Sequence, residues 1–364
     1  MKNRISNIDP LRGFLALCVV IGHIPLISNT VGLPNFSDSP IFHRGSAAVH
    51  VFFALSGYLI IGLIYDEKKK FGSINIKNFY TRRILRLYPV YYLVLFFGFF
   101  FYHYLLPALN VPYDTNYNVL EGMAWCIGFL PNVFKSLYGP GAILDVLWSI
   151  GIEEQFYLMV APLLSILPIK RYYKYLLIFT FTYFILFHTP LFSFLKSFRF
   201  FYFFMSAGGV VAIMQRMNIQ VHFSSAYLRL CVYLVFFLFF TTDLFFFQND
   251  LARNGFELII FNLFIVNIAN DSVFTIKSKA LNYLGQISYG IYMYHMIVVT
   301  FVLFVFLRIQ NIVSLKDWQT IVLINISSVL LTILISHISF RYFESHFLNL
   351  KEKFREKKSI QIKA

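Results

Sequence analysis

The chain has 364 residues, of which 58% are hydrophobic and 13% charged, and its formal net charge is +14. Mean hydropathy is +0.67. There is too little polar surface here for a soluble globule of this size, which excludes ordinary water-soluble enzymes and binding modules.

Several windows hold about 20 predominantly apolar residues, the length of a spanning helix. The expected class is an all-α integral membrane protein with about ten transmembrane helices, over 11–28, 46–65, 89–107, 144–167, 173–189, 199–215, 229–247, 256–270, 283–306 and 319–342. The segment 256–270 is short and contains Asn262 and Asn267, so it is the least clearly marked. With the N-terminus inside, the inner segments carry about three times as many Lys and Arg as the outer ones, which satisfies the positive-inside rule and puts both termini in the cytoplasm. That bias accounts for most of the net charge. No basic stretch is interleaved with a stacking surface, so no nucleic-acid partner is expected, whereas membrane lipids are. The first apolar run contains Arg12 and lacks an A-x-A site, and reads as an uncleaved span rather than a signal peptide. Cys18, Cys126 and Cys231 form no CxxC pair and read as small buried residues. No metal-ligand spacing occurs, and no metal is expected.

In chain order, the first helix carries Arg12 and His23 within IDPLRGFLALCVVIGH, residues 8–23. Eleven steps of 100° return nearly to the same face, with the two groups roughly 16 Å apart along the axis. Ionisable groups inside a bilayer are costly and mark function by default. Span 2 holds HVFFALSGYLI (50–60), where Ser56 and Gly57 suit close helix packing and His50 suits the outer interface. The inner loop 66–88 ends in Arg82, Arg83 and Arg86. Arg82 and Arg86 share a helical face. Such a cluster suits phosphate in bidentate geometry, although from spacing alone topogenic charge or lipid headgroups account for it more simply. Pro89 is expected in the first turn of span 3.

The outer segment 108–143 includes MAWCIGFLPNVF (123–134), too short to span and expected to lie at the interface or re-enter. Span 4 contains Glu153 and Glu154 in LWSIGIEEQFYL (147–158). They point about 100° apart, so only one need face the interior, as a counter-ion to a buried cation or as a catalytic or orienting group. Helical rise puts His23 roughly 18 Å from the inner edge and Glu153 roughly 14 Å from the outer edge. In a core about 30 Å thick these levels are similar, and His295 of span 9 reaches a similar one. Arg199 opens span 6, where it suits an anionic group or a lipid headgroup. Arg341 and Glu344, at i and i+3 near the inner surface, read as a local ion pair. Residues 348–364 read as a basic, solvated cytoplasmic tail.

Together these residues resemble the acyltransferase-3 family of integral membrane acyltransferases, which includes bacterial surface-polysaccharide O-acetyltransferases. The motifs that carry the resemblance are Arg12 and His23 as an Arg-x10-His pair, FFALSGYLI (52–60), RRILRLYPVYY (82–92), WSIGIEEQFYL (148–158), LGQISYGIYMYH (284–295) and SFRYFES (339–345). The resemblance implies a transmembrane acyltransferase domain over 1–347 in a bacterial inner membrane. That domain would move an acyl group, usually acetyl from acetyl-CoA, to a hydroxyl of a surface polysaccharide such as lipopolysaccharide O-antigen, or of a lipid-linked sugar. It implies catalytic roles for Arg12, His23 and Glu153, and donor binding by Arg82, Arg83 and Arg86.

His23, with an unperturbed pKa of about 6.5, is the expected base for the acceptor hydroxyl. Glu153 is expected to orient the imidazole, and Arg12 to guide the donor. An acyl-histidine relay stays open as a variant. Relatives commonly carry Glu-Lys-Pro-Phe near the end, where this chain has Glu344, Ser345, His346 and Phe347. Some relatives add a soluble esterase-like C-terminal domain. This chain stops about 20 residues after its last span, so the membrane domain or a separate protein is expected to handle the acceptor. The competing classes are a polyisoprenoid-linked sugar or polysaccharide transporter without acyl transfer, and a structural or lipid-binding assembly subunit.

Overall fold

The computed structural model describes residues 7–270 and 274–354. The cations Lys2 and Arg4, and the tail from residue 355 onward, lie outside the described residues. Among those described, the chain is helical and contains no strand. The principal helices are α1 (Ile8–Thr30), α2 (Gly45–Phe71), α3 (Ile76–Ala108), α4 (Leu147–Ile166), α5 (Tyr172–His188), α6 (Tyr202–Arg216), α7 (Ala226–Thr241), α8 (Asp250–Asn270), α9 (Ser288–Ile309) and α10 (Asp317–Lys353). Each expected span falls on one of them. Length and composition alone qualify six to cross a membrane: α1, α2, α3, α8, α9 and α10. α4 is long enough, but Glu153, Glu154 and Gln155 dilute its apolar run, and α5 is followed by a 91° bend into Pro190–Ser197.

Local chemistry sets the boundaries that matter for the site. α2 ends at Gly72 in the left-handed conformation, φ 77°, and α3 starts after Asn75, whose side chain accepts from the Asn78 amide at 2.9 Å. Pro89 does not open a helix as expected. α3 begins at Ile76 and runs through it, so Arg82, Arg83 and Arg86 stand on the same continuous rod that enters the bundle. Proline leaves the Leu85 carbonyl without its usual N–H, and Tyr289 donates to the nearby Leu87 carbonyl at 2.6 Å. α10 contains a π turn at Phe340–Glu344. The inserted residue breaks the i, i+3 register, so the Arg341–Glu344 pair does not form. Glu344 turns inward and accepts from Ser339 at 3.1 Å, while Arg341 lies over the Tyr342 ring.

α2 and α6 pack backbone to backbone. Gly57 faces the Met205 carbonyl and Gly208 faces the Ala54 carbonyl, and a Cβ at either would overlap the facing oxygen. α1 packs on Lys279–Gln286 and on α9. Several of the charges expected inside meet at the end of α2. Arg216 meets Asp66 at 2.9 Å and Arg82 meets Glu67 at 3.0 Å. Lys68 donates to the carbonyls of Leu164, Ser165 and Leu167 and closes the end of α4. Residues 348–353, read from sequence as solvated tail, continue the last helix and pack on α3. Cys18 and Cys126 are buried, whereas Cys231 is exposed on the outside of the bundle.

Gly57→Leu or Gly208→Leu will force α2 and α6 apart. Thermal unfolding in detergent should register an overpacking loss of about 1–3 kcal/mol or more. Gly255→Ala, whose added Cβ meets only the Phe184 ring at 3.7 Å, should stay within about 0.5 kcal/mol of the parent.

Candidate active site

Two cavities enter the bundle and abut at one layer of side chains. The one at the end expected from the sequence to be inner, about 620 Å³, is lined by Asp9 and Arg12 from α1, Ser56 from α2, Arg83 and Arg86 from α3, Glu153 and Tyr157 from α4, Tyr289 from α9, and Leu348, Asn349, Lys351 and Glu352 from α10. Its size is that of a small-molecule site. The outer one, about 280 Å³, is lined by His23, Lys135, Asp145, Trp148, Arg199 and Met296 among others. Val49 and Tyr292 line both. A Ser149–Tyr292 hydroxyl pair at 2.6 Å braces the layer between them.

In the inner cavity Tyr157 donates to Glu153 at 2.8 Å and is paired in turn with Ser56. Arg12, Arg83 and Arg86 all lie within electrostatic reach of Glu153, and the Arg83 Nε is buried with no hydrogen-bond partner. Arg82 is not in the cavity. It turns to Glu67 and to the Phe354 carbonyl, at 3.0 and 3.1 Å. Of the three arginines expected to bind the donor, Arg82, Arg83 and Arg86, the last two, at i and i+3, line the cavity. Adjacent residues on a helix point about 100° apart, and the end of α2 supplies a carboxylate only to the first.

In the outer cavity the Nδ1 of His23 lies 2.8 Å from the Val19 carbonyl. A carbonyl only accepts, so Nδ1 carries a hydrogen, and in the neutral ring Nε2 keeps the lone pair. The ring meets that of His295 edge-on, with centroids 5.0 Å apart. His295 is fully buried, donates from Nδ1 to the Tyr292 carbonyl at 2.5 Å, and has no hydrogen-bond partner at Nε2. The similar depth of the two histidines thus becomes a contact.

The expected pairing of Glu153 with His23 does not form. Glu153 stands one helical turn beyond Ser149, on the inner side of the Tyr292 layer and among the arginines. Rise along a helix locates it to within a few ångströms, but that error is as large as the layer between the cavities. A carboxylate is also drawn more strongly to guanidinium ions than to a neutral imidazole. Glu154 is buried as well. Tyr88 donates to its Oε2 at 3.2 Å, and its Oε1 has no partner. The 100° offset therefore turns Glu153 to the cavity and Glu154 away from it.

Lys135, Asp145 and Tyr292 had no signal in the sequence strong enough to single them out. Lys135 comes from the outer segment, which folds into two short helices, Val119–Ile127 and Pro131–Tyr138. Gln155 docks them, donating from Nε2 to the Phe129 carbonyl and to Asn132 Oδ1, at 2.5 and 2.8 Å. Lys135 then meets Asp145 at 3.3 Å. Burial lowers its ammonium below the ordinary value, and the Asp145 charge opposes that. His50, which the sequence places at an interface, is instead buried and bonded through Nδ1 to Glu257 of α8 at 2.6 Å. It lines neither cavity.

A family model described as an acyltransferase domain matches residues 5–337. The chain belongs to the acyltransferase-3 family. It is 27% identical over 390 aligned positions to the peptidoglycan O-acetyltransferase OatA of Listeria monocytogenes, covering 98% of this chain and 58% of that protein. It is 31% identical over 140 positions to an uncharacterized protein of Haemophilus influenzae, covering 36% of this chain and 54% of the other. It is also 30% identical over 159 positions to YrhL of Bacillus subtilis, provisionally named a peptidoglycan O-acetyltransferase, covering 43% of this chain and 23% of YrhL. The chain thus spans little more than half of these relatives, or less. No solved structure matches it.

In this acyltransferase-3 chain the His50–Glu257 pair ties α2 to α8 rather than serving a cavity. His50→Ala leaves a buried carboxylate unpaired and should cost about 3–5 kcal/mol in thermal unfolding. The double variant His50→Leu, Glu257→Leu should recover most of that loss.

Proposed function

We propose that this chain transfers an acetyl group from acetyl-CoA to a hydroxyl of a surface polysaccharide or lipid-linked sugar. In this reading it is a bacterial inner-membrane protein with ten spans and both termini cytoplasmic. One observation carries the proposal: a cavity lined by arginines and a cavity lined by an imidazole abut at Val49 and Tyr292. O-acetylation of peptidoglycan, the activity named for OatA and YrhL, is chemistry of the same kind.

Arg83 and Arg86 hold the donor phosphates in charge-assisted, bidentate contacts. Arg12, one wall further on, steadies the donor as its acyl end extends towards Tyr292. Glu153 and Tyr157 anchor these guanidinium groups, a different role from orienting the imidazole. His23 Nε2 takes the proton of the acceptor hydroxyl as that oxygen attacks the thioester carbon. The tetrahedral intermediate collapses, the C–S bond breaks, and the CoA thiolate leaves and receives the proton from His23. His295 offers a second lone pair beside His23 and aligns the hydroxyl. Fixed groups on rigid helices supply much of the rate by holding the reactants in attack geometry.

The test uses the purified full chain in proteoliposomes with radiolabelled acetyl-CoA. His23→Ala should abolish transfer while inserting normally and keeping the thermal midpoint of the parent; normal turnover would remove His23 from the chemistry. Arg83→Gln and Arg86→Gln should each raise KM for acetyl-CoA by about tenfold, the worth of one charged hydrogen bond, with KM for the acceptor unchanged. Arg82→Gln should change either constant by less than about twofold, because Glu67 already engages that side chain.

A further inference from the structure

The outer cavity carries more charge than a general base requires. Lys135, Asp145 and Arg199 gather around Trp148 beside His23. The Arg199 guanidinium lies 5.4 Å from the indole ring centroid, and the Lys135 ammonium 5.9 Å from it. The aromatic ring thus holds both cations towards one space. Lys135 has Asp145 as its counter-ion. Among the described residues no carboxylate lies within ion-pair distance of Arg199, whose backbone adopts a left-handed conformation, φ 59°, that is uncommon for arginine. Asp145 uses Oδ2 for Lys135, while its Oδ1 is shielded from solvent and has no hydrogen-bond partner.

The balance of these groups points to a ligand. Two cations face one carboxylate, and the neighbouring imidazoles bring no negative charge. One unit of positive charge is left over in a partly desolvated space, where pairing with an anion is worth more than in water. An unsatisfied carboxylate oxygen in the same space calls for a donor. A sugar that bears an acidic group next to free hydroxyls supplies both.

We propose that Lys135 and Arg199 bind an acidic group of the acceptor, a carboxylate or a phosphate, while Asp145 Oδ1 accepts from a neighbouring sugar hydroxyl, so that the outer cavity selects an anionic sugar and turns its free hydroxyl to His23. This inference rests on the outer cavity being the acceptor side of an acyl transfer. It adds the charge of the acceptor and the residues that read it.

The test is binding, which needs no turnover. The full chain in nanodiscs of zwitterionic lipid is titrated calorimetrically with digalacturonate, with its neutral carboxamide, and with a phosphorylated disaccharide. One of the acidic sugars should bind about tenfold more tightly than the neutral one, and the tighter of the two names the group that the site reads. Arg199→Gln and Lys135→Gln should each cut that preference to less than about twofold and leave the neutral sugar unchanged. Asp145→Asn should weaken binding of the neutral sugar, which loses a charge-assisted hydrogen bond. Equal binding of acidic and neutral sugars by the parent overturns the proposal, as does a loss in the variants that is the same for both. The titration is repeated in discs of anionic lipid. If the preference vanishes there, the cations serve headgroups and the proposal falls. Acetyl transfer in the same discs is scored separately: selective binding without transfer would sink the enzymatic reading and leave the acidic-sugar site standing.

Discussion

Three guanidinium groups and the Glu153 carboxylate line one cavity inside a bundle of apolar helices, and the arrangement of the inner site follows from that excess of positive charge. Arg12, Arg83 and Arg86 come from α1 and α3, and Glu153 comes from α4. In a poorly solvating interior unlike charges attract, and like charges repel, more strongly than in water. One carboxylate cannot neutralise three cations. Asp9 and Glu352 also line the cavity, but Lys351 offsets one of them, and positive charge remains in excess. A space of this kind is stable around an anion. The same charges fix α1, α3 and α4 relative to one another, since any shift that separates Glu153 from the arginines leaves ions uncompensated in a medium that solvates them poorly.

The second organising feature is the thin layer between the cavities. α1 acts as a ruler, with Arg12 facing the inner cavity and His23, three turns further along the same face, facing the outer one. Tyr292 closes the gap by bonding Ser149 and offering its carbonyl to His295. Its hydroxyl and its backbone therefore tie the barrier to both the carboxylate helix and the imidazole pair. In the proposed reaction the donor and the acceptor, entering from opposite ends, meet beside this ring.

Around this, the bundle is held by contacts that have no chemistry of their own. The Gly57 and Gly208 contacts bring α2 and α6 close enough for carbonyl oxygens to take the place of side chains. The buried His50–Glu257 pair ties α2 to α8. α2 is thereby fixed on two sides while it presents Val49 and Ser56 to the cavities. A histidine in a membrane helix attracts a functional reading, and here one of two such histidines in the first two spans is a strut. The difference is visible only in what surrounds it: His50 has a carboxylate partner and no cavity, whereas His23 has a cavity and a lone pair with no protein partner.

The sequence by itself determined what local rules determine. Apolar run length marked where the helices lie, and the 3.6-residue period put Arg12 and His23 on one face and grouped the arginines near residue 82. The motif order from Arg12 to Ser345 sufficed to suggest the family. Partner choice was beyond it. Which of Arg82 and Arg83 enters the cavity depends on where the end of α2 places Glu67. Whether Glu153 meets an imidazole or a guanidinium depends on a layer thinner than the error in counting helical rise. Lys135 and Asp145 meet across a loop with no periodicity to read, and Glu344 turns inward because one inserted residue shifts the helical phase. Periodicity and hydropathy are properties of neighbours in the chain. Coulomb pairing in a poorly solvating interior is decided by ångström distances between helices, and only the tertiary structure sets those.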